Sequence, residues 1–292
     1  MTRYIVKELP AYYISYDEPN CEENWLNVKS LLPNAKRIHG VKGFDKAHKV
    51  CAHSCDSPRF LTIDGDNWLL DLSLDHVLDD LQYEDVVFSF KSHNTINGLE
   101  YGNGGLKCWN RDVLLSSNTH EHGNDTDFCW ALRYYQVDKL GSVGVNNASP
   151  FQAWRAGYRE GIKMSYLDGK PMTDPRNELD LLWHGNRSKL NVWMTVGRDV
   201  AHGEWAMLGA RQGFYELYSD NIKNTDINDY NWFEKKWSDL YSVVSDKPSE
   251  YLIIYSRLLN NEFGLFVPEF DKKHSTWFKT TYINPPRRGL ML

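Results

Sequence analysis

This sequence lacks the features that direct a chain into or across a membrane. Arg3, Lys7 and Glu8 interrupt the first apolar residues, so no signal peptide is expected. No apolar run approaches the roughly 20 residues of a membrane span. The five cysteines show no paired metal-binding spacing, which predicts reduced thiols. We therefore expect a soluble, cytoplasmic protein with no membrane partner.

The chain also lacks a net positive charge, internal repeats and low-complexity tracts. Its formal net charge of −6 disfavours a protein whose main task is to coat phosphate backbones. What it has is length and apolar content, since 292 residues of which 41% are hydrophobic can fill a substantial core. Its 11 tryptophans and 17 tyrosines serve cores and also the stacking of flat or ring-shaped ligands.

Short apolar runs alternate with helical patterns through the first half of the chain. In order they cover residues 11–15, 22–32, 35–41, 46–54 and 60–63. This βαβαβ order favours an α/β fold with a mostly parallel sheet and helices on both faces. Further strands are expected within 86–109, helices at 128–135, 150–166 and 203–217, and a loop at 168–177. We predict one continuous catalytic domain with halves 1–135 and 136–292, the second carrying a C-terminal helical and aromatic extension.

Two carboxylates, Asp64 and Asp66, directly follow the apolar run 60–63 and are separated by Gly65. Ligands collect at the carboxyl ends of parallel strands, where Asp17 and Glu18 also follow an earlier strand. Two oxygen ligands at this spacing suit Mg²⁺ or Mn²⁺, which can bridge to phosphate oxygens. The alternative is a solvated turn after a strand.

Over roughly residues 10–130 the sequence resembles the GT-A glycosyltransferases, whose Asp-x-Asp motif is matched by Asp64 and Asp66. The resemblance implies a Rossmann-like mixed sheet flanked by helices, a UDP-sugar donor and a Mg²⁺ or Mn²⁺ cofactor. It implies that Tyr16 and Asp17 lie near the nucleoside. Arg59 would reach the ribose or phosphates, although a surface salt bridge is an equal alternative.

The same resemblance implies a glycine-containing strand under the donor sugar, matched by Asn103, Gly104 and Gly105; the alternative is a bulged hairpin. It also implies an acidic segment near the anomeric carbon, matched by Asp125 and Asp127. Either carboxylate could deprotonate an acceptor hydroxyl or stabilise an oxocarbenium-like transition state. The alternative for each is a helix cap.

Many members of this family complete the metal site with a late histidine. His184 is the first candidate and His202 the second, because each lies beside a glycine in an expected loop. A neutral imidazole ligand would favour manganese. The alternative for both is an exposed or hydrogen-bonded loop histidine.

Several later blocks are similar to glycosyltransferases of tailed bacteriophages: residues 90–94, 103–105, 150–157 and 197–211. This resemblance implies transfer of arabinose or glucose to 5-hydroxymethylcytosine in double-stranded DNA, in the cytoplasm of a host cell. Base extrusion would require aromatic surfaces. Basic and aromatic residues interleave near the C-terminus, as in a groove that tracks a strand: Lys272, Lys273, Trp277, Lys279, Tyr282, Arg287 and Arg288.

Three other functions fit parts of the pattern. The same chemistry could act on a cell-surface glycan or a lipid-linked sugar. A non-catalytic carbohydrate-binding module would use Asp64 and Asp66 for structural Ca²⁺ and aromatic residues for stacking. A nucleotidyltransferase would also use paired carboxylates and Mg²⁺.

Overall fold

The computed structural model describes residues 3–79, 84–102, 104–122, 127–220 and 222–283. Contacts divide the chain into two compact units. The first comprises Met1–Asn94 and Glu100–Val145, and the second comprises Thr95–Leu99 and Asn146–Leu292. No helix in the described ranges combines the length and the apolar character needed to cross a bilayer.

The first unit combines strands and helices, as the α/β prediction requires. Its strands are β1 (Arg3–Ile5), β2 (Ala11–Ser15), β3 (Lys36–His39), β4 (Arg59–Asp64), β5 (Asn67–Leu69), β6 (Val77–Asp79), β7 (Val87–Asn94), β8 (Glu100–Tyr101), β9 (Leu106–Asn110) and β10 (Tyr134–Gly144). Its helices are α1 (Cys21–Leu31), α2 (Phe44–His53), α3 (Arg111–Ser116) and α4 (Phe128–Ala131). The predicted βαβαβ order is confirmed from β2 to β4.

The main sheet has the strand order β3-β2-β4-β9-β7-β10-β5, with β8 attached to β7. Strands β3, β2 and β4 are parallel, and β10 is parallel to β7. Strand β9 runs antiparallel to both of its neighbours, and β5 runs antiparallel to β10. The sheet is therefore mixed, whereas the alternation of elements alone predicts a mostly parallel one.

Consecutive residues of the central strands face opposite sides of this sheet. Tyr13 and Leu61 belong to one apolar cluster together with Val28 of α1. Their neighbours Tyr12 and Phe60 belong to the other, where α2, α3 and Trp109 pack. This period of two buries both faces of a strand and explains its continuous apolar run. The prediction of helices on both faces is confirmed.

The sheet curls back on itself at the end of β4. Only Gly65 and Asp66 separate β4 from β5, yet three strands lie between them in the sheet order. A two-residue connection is short, so the edge that carries β5 must return towards β4. The Asp64–Asp66 turn thereby joins β4 to β5, the last strand in the sheet order.

The second unit is mostly helical, as predicted for the C-terminal half. Its helices are α5 (Pro150–Lys163), α6 (Pro175–Glu178), α7 (His184–Thr195), α8 (Gly203–Ser219), α9 (Asn224–Ile227), α10 (Tyr230–Val244), α11 (Pro248–Phe263) and α12 (Lys272–Trp277), followed by a π-helix (Phe278–Ile283). The strands β11 (Tyr166–Leu167) and β12 (Lys170–Pro171) form a small hairpin. This hairpin and α6 take up parts of the predicted loop 168–177.

Local sequence signals set the start of α5. The hydroxyl of Ser149 accepts a hydrogen bond from the backbone N–H of Gln152, and Pro150 follows the cap. Trp154, Tyr158 and Ile162 recur at intervals of four and are buried. The predicted boundary after residue 135 falls within β10, and the prediction of one continuous catalytic domain stays a prediction.

Candidate functional site

Asp64 is the last residue of β4 and is paired with a buried lysine. Its backbone N–H donates to the carbonyl of Gly105 at 3.0 Å, which continues the alignment of β4 beside β9. The ammonium of Lys107 donates to Oδ2 of Asp64 at 2.9 Å. The Lys107 side chain is 3% exposed and that of Asp64 is 33% exposed, so the carboxylate has solvent access and the cation beside it has little.

Asp66 is held by a different group of side chains. The amide nitrogen of Asn67 donates to Oδ1 of Asp66 at 2.7 Å. The amide oxygen of Asn67 in turn accepts from the hydroxyls of Ser92 at 3.2 Å and Ser142 at 2.8 Å. These residues come from β5, β7 and β10, so the curl of the sheet fixes the side chain next to Asp66.

Gly65 lies between the two carboxylates, and a third acidic side chain packs against it. A Cβ at Gly65 would come within 2.6 Å of Oε2 of Glu18. The carboxylate of Glu18 accepts from the backbone N–H of Tyr16 at 2.8 Å. Tyr13 and Asn24 both donate to the carbonyl oxygen of Gly65, at 2.7 and 2.9 Å. A Cβ would also lie 2.9 Å from the carbonyl oxygen of Ile14, so only a residue without a side chain fits between Glu18 and that carbonyl.

Two buried groups report the electrostatics of the turn. Burial raises the pKa of the Tyr13 hydroxyl, and the negative charges of Glu18 and Asp66 raise it further. Burial lowers the pKa of His48 to about 4; the charge of Asp64 opposes this effect and that of Lys107 adds to it. Tyr13 faces the α1 side of the sheet, whereas His48 belongs to α2 on the other side. The fields of Asp64 and Asp66 are therefore felt by groups on opposite faces.

The donor set at this turn fits a hard divalent cation that shares its ligands with a substrate. Within the described ranges no three His, Cys, Asp or Glu side chains are grouped so that they could hold a metal. Mg²⁺ characteristically binds one or two carboxylates and takes its other ligands from phosphate and water. Asp64 and Asp66 supply two such carboxylates, whereas a cage made entirely of protein ligands would need more donors; binding of a cation by this pair stays a prediction.

The nucleoside candidates lie in the loop after β2. Asp17 is exposed and Tyr16 is half-buried, and the loop is tied to the Asp64–Asp66 turn through Glu18. Because β2 and β4 are parallel neighbours, this loop and Asp64 share one edge of the sheet. Their contact with a nucleoside stays a prediction.

Arg59 is fully buried, at the start of β4 and not on the surface. Its guanidinium donates to the carbonyls of Val86 at 3.0 Å and Glu84 at 2.9 Å, and it lies over the ring of Phe88. Asp64 lies at the opposite end of the same strand. These contacts give Arg59 a structural role, and its contact with a ribose or phosphate stays a prediction.

The predicted glycine strand beneath the sugar is closely packed by the protein itself. A Cβ at Gly104 would meet the carbonyl of Phe90 and the Cβ of Ser92, each at 2.7 Å, and one at Gly105 would collide with the amide of Asn67. The space left by the missing side chains is thus filled by neighbouring strands. Asn103 lies outside the described residues, and contact of this segment with a sugar stays a prediction.

Asp127 forms the helix cap that was the alternative to its catalytic role. Its carboxylate accepts from the backbone N–H of Phe128 at 2.8 Å at the start of α4. The predicted helix 128–135 ends at Ala131, because Tyr134 already pairs with Val87 as part of β10. Asp125 lies outside the described residues. A role for either carboxylate in proton transfer stays a prediction.

Both candidate histidines belong to the second unit. His184 is exposed and begins helix α7, so it is helical, whereas the sequence predicts a loop. His202 is the exposed residue before α8 and has a left-handed backbone, with φ of 57°. Neither placement tests whether a histidine completes a metal site.

Comparison with known proteins adds no relative, since no protein-family model matches the chain and no curated protein matches it. The residues around Asp64 and Asp66 are therefore the basis for a functional proposal. Sequence reasoning overlooked Lys107, and it noted Glu18 after the first strand without giving it a role at this turn. A lysine within the apolar run 106–109 was the available signal for the first, and an acidic residue three positions after the end of β2 was the signal for the second.

Proposed function

We propose that this chain is a GT-A-type glycosyltransferase that takes a UDP-sugar as donor and Mn²⁺ or Mg²⁺ as cofactor. One observation supports it most strongly. The carboxyl end of β4 carries Asp64 and Asp66 on either side of Gly65, and Glu18, in the loop after the parallel strand β2, packs against that glycine. Carboxylates at that edge of an α/β sheet are suited to holding a cation that carries a diphosphate.

In the proposed reaction the bond between the sugar's anomeric carbon and the diphosphate breaks, and a bond to an acceptor oxygen forms. The acceptor hydroxyl loses its proton to a base, and UDP leaves with the electron pair. Asp64 and Asp66 would hold the cation, which when bound neutralises charge on the departing diphosphate. Asn67 fixes the orientation of Asp66 through its 2.7 Å hydrogen bond. Asp127 and Asp125 are the proposed bases.

Donor binding is tested by thermal shift with a series of UDP-sugars and Mn²⁺, because a true donor stabilises the folded state by mass action. Donor hydrolysis in the absence of acceptor then separates an enzyme from a carbohydrate-binding module. Asp66→Ala should abolish hydrolysis and leave the fold intact, because Asp66 lies in a surface turn. Asp71→Ala, which removes an exposed carboxylate after β5, is the matched control. Near-normal turnover by Asp66→Ala would refute the proposal.

We further propose 5-hydroxymethylcytosine in double-stranded DNA as the acceptor, with arabinose or glucose as the sugar. The supporting observation is the C-terminal segment of α12 and the π-helix. There Trp277 is 54% and Tyr282 is 67% exposed, and Lys272 and Lys273 are exposed beside them. Exposed rings near exposed ammonium groups suit stacking on bases and pairing with phosphates. Transfer to a glycan but not to such DNA would replace this acceptor by the cell-surface alternative.

A further inference from the structure

Lys107 is a buried cation at the centre of the sheet. Strand β9 lies between β4 and β7, where Lys107 is aligned with Thr62 on one side and Ser89 on the other. Its ammonium lies 5.5 Å from the ring centroid of Phe128 and reaches Asp64, two residues beyond Thr62 along β4. The stem of the side chain is thus enclosed, and only its charged end approaches the site.

The ammonium of Lys107 has more N–H groups than it has hydrogen-bond acceptors in the part of the chain that the structure describes. It carries three N–H groups, and Asp64 is its only hydrogen-bond acceptor within the described ranges. A buried charge with few partners is costly, so it gains when further anionic oxygens arrive. Because Asp64 is one-third exposed, a ligand that reaches this carboxylate also approaches the ammonium.

The same contact affects cation binding at Asp64. A positive charge 2.9 Å from Oδ2 neutralises the carboxylate and repels a second cation. A divalent ion alone must therefore compete with Lys107 for Asp64. A diphosphate that binds together with the ion would remove this competition. Its oxygens can accept hydrogen bonds from the Lys107 ammonium while Asp64 binds the metal.

We propose that Lys107 is a positioning residue that couples nucleotide and metal binding: it holds Asp64 in the free protein and transfers its hydrogen bonds to the diphosphate when both ligands bind. This inference rests on the proposed function, because it requires a nucleoside diphosphate at Asp64. It predicts that Mn²⁺ alone binds weakly and that UDP strengthens Mn²⁺ binding. By linkage, Mn²⁺ strengthens UDP binding by the same factor.

The test is isothermal titration calorimetry of Mn²⁺ alone, UDP alone, and UDP at saturating Mn²⁺. In Lys107→Met the charge is lost and the apolar stem is kept. Mn²⁺ alone should then bind several-fold more tightly, and UDP with Mn²⁺ should bind about tenfold or more weakly, as expected for a lost hydrogen bond to a charged group. Lys91→Met is the control, because Lys91 lies on the adjacent β7 and pairs with the exposed Asp138. Its titrations should match the parent's.

Asp64→Asn tests the same coupling from the other side and does not depend on the folding of Lys107→Met. It should lose Mn²⁺ binding but bind UDP without metal at least as tightly as the parent, since the ammonium is released. If Lys107→Met leaves the affinities for Mn²⁺ alone and for UDP with Mn²⁺ unchanged, or shifts both in the same direction, the coupling role is overturned while the proposed function stands. Failure of the parent itself to bind UDP or a UDP-sugar with Mn²⁺ would refute the proposed function and this inference together.

Discussion

His48 is a buried histidine whose ring stacks on Phe44, with 3.9 Å between centroids, and packs against Trp109. Its Nδ1–H donates to the carbonyl of Phe44 at 2.8 Å, which leaves Nε2 as an unprotonated acceptor. Within the described ranges this buried Nε2 has no hydrogen-bond partner. Protonation would place a charge in an apolar environment, which is why the pKa falls to about 4.

This depressed pKa predicts an acid-sensitive fold. In the unfolded chain His48 takes up a proton near pH 6.5, whereas the folded protein does so only near pH 4. The unfolded state binds more protons between these values, so the contribution to stability is complete above the higher pH and is lost as the pH falls towards the lower. We expect protonation of His48 to lower the free energy of unfolding by about 3 kcal/mol as the pH falls through this range.

Denaturant unfolding from pH 7 to pH 4 measures the effect. His48→Phe keeps an aromatic ring and removes the titration, so its profile should be flatter than the parent's. His53→Gln changes an exposed histidine of the same helix and should leave the slope unchanged. Identical slopes for the parent and His48→Phe would show that His48 is not the responsible group.

Gly105 and Asn67 form a second pair whose effects should be coupled. A Cβ at Gly105 would occupy the position of the Asn67 amide, which holds Asp66. Gly105→Ala should destabilise the fold by about 1–3 kcal/mol through overpacking. Asn67→Ala in the same chain removes the obstacle, so the double variant should be more stable than the sum of the two single effects predicts. Strictly additive unfolding free energies would contradict this packing.

At the scale of elements, α5 and α8 are packed with their backbones almost in contact. A Cβ at Gly157 or Gly161 of α5 would collide with the carbonyl oxygens of Ala206 or Ala210. A Cβ at Gly209 would collide with the Trp154 carbonyl of α5. Neither helix can move away without breaking the surrounding aromatic packing of Trp154 against Phe233 and Trp237.

Gly209→Ala should therefore destabilise the protein even though alanine is the better helix former. The cost of overpacking, about 2 kcal/mol or more, exceeds the roughly 1 kcal/mol gained in helix propensity. Gly185→Ala is the control, because the atoms nearest to its Cβ belong to the exposed ring of Trp183, which can swing aside. In thermal unfolding, the midpoint temperature should fall clearly for Gly209→Ala and change little for Gly185→Ala. A stabilised Gly209→Ala would refute the close packing.

Elements with a local signal were predictable from the sequence, and those defined by distant partners were not. Short apolar runs located β2 and β4, and apolar residues that share one helical face located α5. Residues 134 and 135 have no such signal. They begin strand β10 because β7, more than forty residues away in sequence, pairs with them.

The same distinction applies to the candidate site. Asp64 and Asp66 were found because they follow an apolar strand directly. Lys107 was not found, because its contact with Asp64 is diagonal across two antiparallel strands whose alignment the sequence does not reveal. The curl that places Asn67 beside Asp66 depends likewise on the pairing of β5 with β10.

At the scale of the whole molecule, an acidic protein that acts on DNA must concentrate its phosphate contacts on one local surface. Of the basic residues in the C-terminal segment, Lys279 is already engaged: its ammonium lies 2.6 Å from the carboxylate of Asp199 and donates to the carbonyl of Ile96. Arg287 and Arg288 lie outside the described residues. Lys272 and Lys273 are exposed, and they remain as the phosphate-binding candidates that the structure describes.

Lys272→Gln with Lys273→Gln should weaken binding to hydroxymethylated DNA and flatten its dependence on salt. Each phosphate contact contributes about 0.9 to the slope of log K against log salt concentration, so the slope should fall by nearly 2. Hydrolysis of the donor without acceptor should stay unchanged, because the proposed chemistry involves Asp64 and Asp66 and neither of these lysines. Fluorescence anisotropy across a salt series measures the slope.

The matched control is Lys170→Gln with Lys235→Gln, which removes two exposed charges elsewhere in the second unit. Both double variants change the net charge equally, so a general electrostatic effect would change their salt slopes by the same amount. A local binding surface would change the salt slope only in Lys272→Gln with Lys273→Gln. If the two salt slopes are the same, DNA is not held by the α12 segment. If the parent transfers no sugar to such DNA with any UDP-sugar, a glycan hydroxyl becomes the acceptor to test.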